Sequence, residues 1–251
     1  MDQPQTDMIH LNHEIDNITM IDSVAGRLDQ VHRRIRGAEL AAGRAAGAVT
    51  LLAVSKTQSS DLMRAAWAAG QRAFGENYVQ EALTKMGQLA DLPIEWHFIG
   101  HLQTNKTRPI AEHFAWVHGL DDVRHARRLN DQRPPHLPPL NVCLEINLDG
   151  EAGKSGVSPA QAADLLRECR VFPRLHIRGF MAIPAPAADP AAARLPFARL
   201  RQLRDQLATP ALPLDTLSMG MSGDLEAAIA EGATLVRVGT AIFGSRNHGT
   251  Y

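Results

Sequence analysis

Eight short runs rich in β-branched and large apolar residues alternate with stretches of helical periodicity, and this alternation limits the fold more than any other feature of the chain. The runs are Val49–Val54, Arg72–Phe74, Ile94–Ile99, Ala115–His118, Leu140–Asn147, His176–Ile183, Leu214–Ser218 and Thr234–Val238. Between them lie helical segments such as Ser60–Gly70, Asn77–Ala90, Asp121–Asn130, Pro159–Val171 and Ala191–Leu207. Start and stop residues frame the first of these, with Ser59-Ser60-Asp61 before it and Gly70 after it. Strands joined through helices return as parallel neighbours, so the chain is built from βαβ units. Eight such strands in 251 residues fit a single α/β domain, a (β/α)8 barrel of the TIM type. A doubly wound open sheet is the competing arrangement.

From about residue 18 to 46, Ile21, Val24, Leu28, Val31 and Ile35 recur at three- and four-residue spacing, which marks an amphipathic helix. Thirteen residues follow Val238, too few for an eighth outer helix with its loops, so the N-terminal helix is expected to fill that gap. Residues 1–17 carry no pattern and read as a flexible extension, which leaves 18–251 as the barrel domain. The Pro-rich stretches Arg133–Pro139 and Pro184–Pro196 read as long connections.

Composition excludes several classes. A hydrophobic fraction of 45% can bury a core, and a formal charge of -1 gives no general attraction to nucleic acid or anionic lipid. The longest near-continuous apolar stretch, Ala45–Val54, is too short to cross a bilayer, and the N-terminus is too acidic for a signal peptide. A soluble, cytoplasmic protein is expected. Cys143 and Cys169 form no CxxC pair and read as buried thiols. Gly153-Lys154-Ser155 lacks the first glycine of a P-loop, where Leu148 stands, and Gly220-Met221-Ser222-Gly223 ends in Asp224 where a nucleophile elbow needs glycine. His97 and His101 lack the HExxH pattern of a zinc site, so no metal is expected.

Chemistry in a barrel gathers at the C-terminal ends of its strands. Side chains alternate along Thr50-Leu51-Leu52-Ala53-Val54-Ser55-Lys56, so Leu52 and Val54 inside the barrel bring Lys56 inward at the mouth. Partial desolvation there favours the neutral amine that attacks a carbonyl; an ion-paired mouth lysine is the plainer reading. The chain has only three other lysines: Lys85 reads as lying on a polar helical face, and Lys106 and Lys154 as loop residues. The ends of strands seven and eight, Ser218-Met219-Gly220-Met221-Ser222 and Arg237-Val238-Gly239-Thr240, combine small residues with hydroxyls at the usual phosphate position of this architecture. Ser222 as a helix cap and Gly239 as a turn residue remain open alternatives. Val236 and Val238 toward the helices send Arg237 inward, where it needs an acceptor. A reactive amine, a phosphate cradle and an inward arginine on one rim fit a phosphorylated aldehyde, pyridoxal 5'-phosphate among them.

Leu52-Ala53-Val54-Ser55-Lys56-Thr57, Phe74-Gly75-Glu76-Asn77-Tyr78-Val79-Gln80-Glu81 and Trp96-His97-Phe98-Ile99-Gly100-His101-Leu102-Gln103-Thr104-Asn105-Lys106 resemble motifs of the pyridoxal phosphate homeostasis protein family. So do Lys154-Ser155-Gly156, Gly179-Phe180-Met181-Ala182-Ile183, Ser218-Met219-Gly220-Met221-Ser222 and the stretch from Val236 to Gly244, in order, over about residues 20 to 246. The resemblance implies the barrel of alanine racemase, fold type III of the pyridoxal phosphate proteins. It implies Lys56 as the lysine that holds pyridoxal 5'-phosphate covalently, as a Schiff base, and Asn77, Ser218, Ser222, Arg237, Gly239 and Thr240 as pocket residues. The N-terminal extension, about twenty residues, departs from the family pattern.

A racemase commonly needs two positioned acid/base groups. In alanine racemase the second is a tyrosine of the partner subunit, and a β domain follows the barrel. Neither tyrosine here, Tyr78 or Tyr251, matches that residue, and the residues after strand eight are expected to leave no room for that domain. The expected function is therefore noncatalytic: a monomeric carrier or buffer in vitamin B6 homeostasis that supplies the cofactor to apo-enzymes. An amino-acid racemase or lyase, and a cofactor-free Schiff-base aldolase acting on a sugar phosphate, are the alternatives.

Overall fold

A computed structural model describes residues 24–151, 153–186 and 189–244 of the chain. The strands are β1 (Thr50–Val54), β2 (Ala73–Glu76), β3 (Glu95–Phe98), β4 (Trp116–Leu120), β5 (Leu140–Glu145), β6 (Leu175–Met181), β7 (Thr216–Ser218) and β8 (Leu235–Val238). All eight pair in parallel in chain order, and β1 closes onto β8 with Leu52 opposite Arg237. Closure decides for the barrel over the open sheet.

The helices are α1 (24–41), α2 (Ser60–Ala68), α3 (Val79–Gln88), α4 (Thr107–His113), α5 (Val123–Gln132), α6 (Pro159–Cys169), α7 (Pro190–Leu207), α8 (Leu225–Ala230) and α9 (Thr240–Phe243). Helix α1 ends at residue 41, short of the expected 46, because Gly43 takes φ +66° and Arg44 N–H reaches back to the Glu39 carbonyl at 2.8 Å, a Schellman closure. Its buried stripe is Val24, Leu28, Val31 and Ile35, as the periodicity predicts; Ile21 and the extension 1–17 lie outside the described residues. Beside this stripe, Arg27 donates to the Ile242 carbonyl and Arg34 grips Glu226 and the Ser222 carbonyl. These bonds seat α1 against α8 and α9, where the missing outer helix would stand.

Ser59 caps α2 by accepting from Leu62 N–H, and Ser158 with Gln161 forms a capping box on α6. One expectation is corrected: Pro196 sits inside α7, so the connection after β6 is shorter than the proline run Pro184–Pro196 suggests. The outward side chains, Leu51, Phe74, Phe98, Val117 and Val236 among them, join the helices in one core. Inside the barrel the two sides differ: Leu52, Ala73, Leu235 and Ile99 form an apolar plug, while Trp116, Cys143 and Met181 share the other side with buried polar groups.

Candidate functional site

Lys56 follows β1 in a turn, half-buried, at the C-terminal mouth. The turn is held from below. Ser55 N–H donates to the Gly75 carbonyl, and Ser55 Oγ donates to Glu76 Oε1 at 2.7 Å. Thr57, at φ +63°, donates its N–H to Glu81 Oε1. Lys85 joins all three: its Nζ donates to the Ser55 carbonyl at 2.7 Å, to Glu76 Oε1 at 2.8 Å and to Glu81 Oε1 at 2.5 Å. Lys85 thus does not lie on a polar helical face as its sequence context suggests. It shares the inward face of α3 with Val79 and Ala82, where the two carboxylates make a buried ammonium tenable.

The registers bring the other predicted residues to the same rim. Val54 pairs with Gly75, which places Asn77 beside Lys56. Asn77 Oδ1 is buried with no hydrogen-bond partner among the described residues. On the other side of β1, a Cβ at Gly239 would lie 3.1 Å from the Val54 carbonyl oxygen, so the backbone there packs close only because the side chain is absent. Thr240 is exposed and Ser222 half-buried at the ends of β8 and β7, with Asp224, not Ser222, in the N-cap position of α8.

Arg237 points inward, as strand alternation predicts. Its Nη1 donates to the Ser218 carbonyl at 2.6 Å and to Ser218 Oγ at 2.8 Å, and its Nη2 to the Ala182 carbonyl at 3.0 Å. Burial pulls its pKa down to about 10, against the opposing charge of Glu145. The Ser218 hydroxyl, read from sequence as a pocket donor, is already engaged by Arg237 and by His118 Nδ1.

Three groups at this end escaped the sequence reading: Lys85, His118 and Glu145. Glu145 ends β5 beside a cleft of about 420 Å³ that Asn147, Lys154, Ala182 and Met221 also line. Burial and the charge of Asp121 push its pKa from 4.5 up to about 7, with Arg237 pulling the other way. The folded chain therefore holds this proton more tightly than the unfolded one. The stability it contributes is complete below pH 4.5 and lost as pH rises through about 7. Glu145→Gln is expected to exceed the parent at pH 8 by about 2 kcal/mol and to lose that advantage by pH 5, in urea titrations of cofactor-free protein.

Both cysteines are buried, and burial pushes each thiol up to about 12, so they are inert side chains of the core. Lys106 pairs with Gln80, and Lys154 with Glu151 and Asp149. No cluster of metal-ligating side chains occurs among the described residues.

The family model described as the alanine racemase N-terminal domain matches residues 27–247. A pyridoxal phosphate homeostasis protein of Pseudomonas aeruginosa is 57% identical over 229 residues, covering 91% of this chain and 98% of that protein. Its counterpart from Escherichia coli K12 is 48% identical over 238 residues, covering 91% and 99%. Among solved structures, PipY of Synechococcus elongatus with pyridoxal phosphate bound superposes with a TM-score of 0.76 at 38% identity, covering 88% of this chain and all of the other. Alanine racemase from Corynebacterium glutamicum shares the fold at a TM-score of 0.64 and 19% identity, with 92% of this chain covering 63% of that one.

Proposed function

Because the chain belongs to the pyridoxal phosphate homeostasis protein family, on a barrel of the alanine racemase N-terminal type, we propose that it binds pyridoxal 5'-phosphate at this rim and serves as an intracellular carrier in vitamin B6 homeostasis. The observation that carries the reading is the convergence on one mouth of a half-buried lysine, an acceptor without a donor in Asn77 Oδ1, and a close-packed glycine backbone at Gly239. Such a set fits a small, flat, anionic aldehyde. When bound, the cofactor supplies a carbonyl that condenses with primary amines.

On this reading Lys56 is the covalent anchor, and the Lys85 cluster fixes the turn that presents it. Asn77 orients the ring. Ser222, Gly239 and Thr240 receive the phosphate, and Ser218 acts through Arg237. The carrier reading, as against a racemase or lyase, is supported by the relatives' names and by Arg237: a guanidinium offers donors only, so at the ring nitrogen it opposes protonation and weakens electron withdrawal. The protein acts as a monomer in the cytoplasm and passes its cofactor to apo-enzymes.

The test is an absorbance spectrum of purified protein incubated with pyridoxal phosphate, before and after borohydride, with peptide mass mapping. A near-visible band that reduction bleaches, with the cofactor's mass fixed on the peptide containing Lys56, is the expected result; Lys56→Ala should show neither. Arg237→Gln should keep the adduct but lose unreduced cofactor faster on dialysis. Protein that stays colourless overturns the reading. Turnover of D- or L-amino acids by the parent but not by Lys56→Ala would replace the carrier with an enzyme.

A further inference from the structure

Four inward side chains from four strands join end to end inside the barrel and continue to a fifth group at the end opposite the mouth. Arg237 Nη1 lies 2.8 Å from Ser218 Oγ, Ser218 Oγ lies 2.8 Å from His118 Nδ1, His118 Nε2 lies 2.9 Å from His97 Nδ1, and His97 Nε2 lies 2.8 Å from Glu95 Oε1. Glu95 is the first residue of β3, so the chain runs from the mouth to the opposite end of the barrel.

Its direction follows from the chemistry of its two ends. Arg237 can only donate. Glu95, 51% exposed and held below the usual carboxylate range by its bond to His97, is ionised at neutral pH and can only accept. Between them each group has one proton to give. Ser218 Oγ accepts from Arg237 and must give its proton to His118 Nδ1. A neutral imidazole that accepts at Nδ1 carries its hydrogen at Nε2, and this imposes the same tautomer on His97, whose Nε2–H meets Glu95. Both rings are fully buried, and burial lowers both pKa values, His118 the further. The plane of His97 is fixed as well: it stacks on Trp116 at 5.4 Å and 4°, and Trp116 carries the Arg178 guanidinium, paired with Asp215, on its ring.

We propose that His118 and His97 are positioning residues: their one-directional chain of hydrogen bonds turns the Ser218 proton away from the mouth and its lone pairs toward Arg237, so that the guanidinium is held for the cofactor. The inference rests on the cofactor reading above. The bonds to Ser218 and Ala182 use three of the five N–H donors of Arg237, and the remaining two are those offered to a ligand. With the chain reversed, Ser218 Oγ would accept from both Arg237 and His118 and its proton would be loose at the mouth.

The experiment combines nitrogen NMR of the imidazoles in cofactor-free protein with cofactor affinity. Both rings are expected as neutral Nε2–H tautomers at pH 7. Glu95→Leu removes the last acceptor at the end of the barrel away from the mouth. It is expected to shift both rings to Nδ1–H and to weaken pyridoxal phosphate binding about fivefold, the scale of one hydrogen bond. Glu95→Gln keeps an acceptor for His97 and is expected to retain both tautomers and the parental affinity. An Nδ1–H tautomer or an imidazolium at either ring of the parent overturns the proposal. So does Glu95→Leu with parental affinity, or Glu95→Gln as weak as Glu95→Leu. If the parent takes up no cofactor, the carrier reading falls, and the tautomers of the cofactor-free protein still decide the chain.

Discussion

Lys85→Met is expected to destabilise the cofactor-free protein by about 4 kcal/mol, read as a lower urea midpoint at unchanged slope. The ammonium is nearly sealed from water, its side chain 6% exposed against 0% for Glu76. Burial already raises the Glu76 pKa, with Lys85 as the largest opposing influence. Methionine matches the length of the stem but leaves the Glu76 carboxylate without its cation, and breaking one partner of a buried pair costs far more than the pair contributes net. Replacing both partners, in Lys85→Met/Glu76→Leu, is expected to recover part of the loss for that reason. The same ammonium holds the Ser55 carbonyl and, through Glu81, the Thr57 N–H on either side of Lys56. Cofactor affinity should therefore fall in the single variant even where it remains folded, at low temperature and without denaturant. A variant within 1 kcal/mol of the parent, with parental affinity, would mean that this cluster does not fix the turn.

Lys85 lies beyond the reach of any local rule. Strand alternation reads which way a side chain points from its neighbours in the chain, and it turns Arg237 inward, where the guanidinium bonds Ser218 and Ala182, because β8 is regular. The inward face of α3 is equally regular, with Val79, Ala82 and Lys85 three residues apart. The charge on Lys85 nonetheless argues for solvent until Glu76, from another element, supplies a buried partner. That partner is tertiary information. The histidine chain was closer to legible: His97 falls between Trp96 and Phe98, both packed outward, so alternation alone turns it inward. Metal-ligand spacing does not reveal it, because its partner His118 lies on the next strand and not within one motif. Strand 6 shows the opposite failure. Its apolar run is plain in the sequence, but its parity is not constant. Leu175 and Ile177 face the helices, and so do Phe180 and Ala182, which a regular strand would turn inward.

The residue that absorbs this change of phase is Gly179, and Gly179→Ala is expected to cost on the order of 4 kcal/mol, at the upper end for a single substitution. Pairing between β5 and β6 slips between Val142 and Cys143, from partner Ile177 to partner Gly179, which leaves Arg178 as the extra residue of a bulge. Gly179 lies at φ +156°, and a Cβ there would stand 1.9 Å from the Thr216 carbonyl oxygen and 2.8 Å from its carbon. The obstacle is the backbone of the adjacent strand, not the end of a flexible side chain, so it yields only if β6 and β7 part. Parting them reaches the site. Ala182 N–H bonds the Ser218 carbonyl across this pair, and both carbonyls, of Ala182 and Ser218, accept from Arg237. A chain that survives the substitution should therefore bind pyridoxal phosphate more weakly than Arg237→Gln does, because its guanidinium stays buried with its acceptors displaced. Deleting Arg178 would leave Gly179 directly after Ile177, with Phe180 still toward the helices and Met181 still inside, but it would remove the guanidinium that pairs with Asp215 and lies over Trp116. Alanine tolerated at 179 with parental stability and affinity would show that the close contact with Thr216 is not the feature that sets the phase of strand 6.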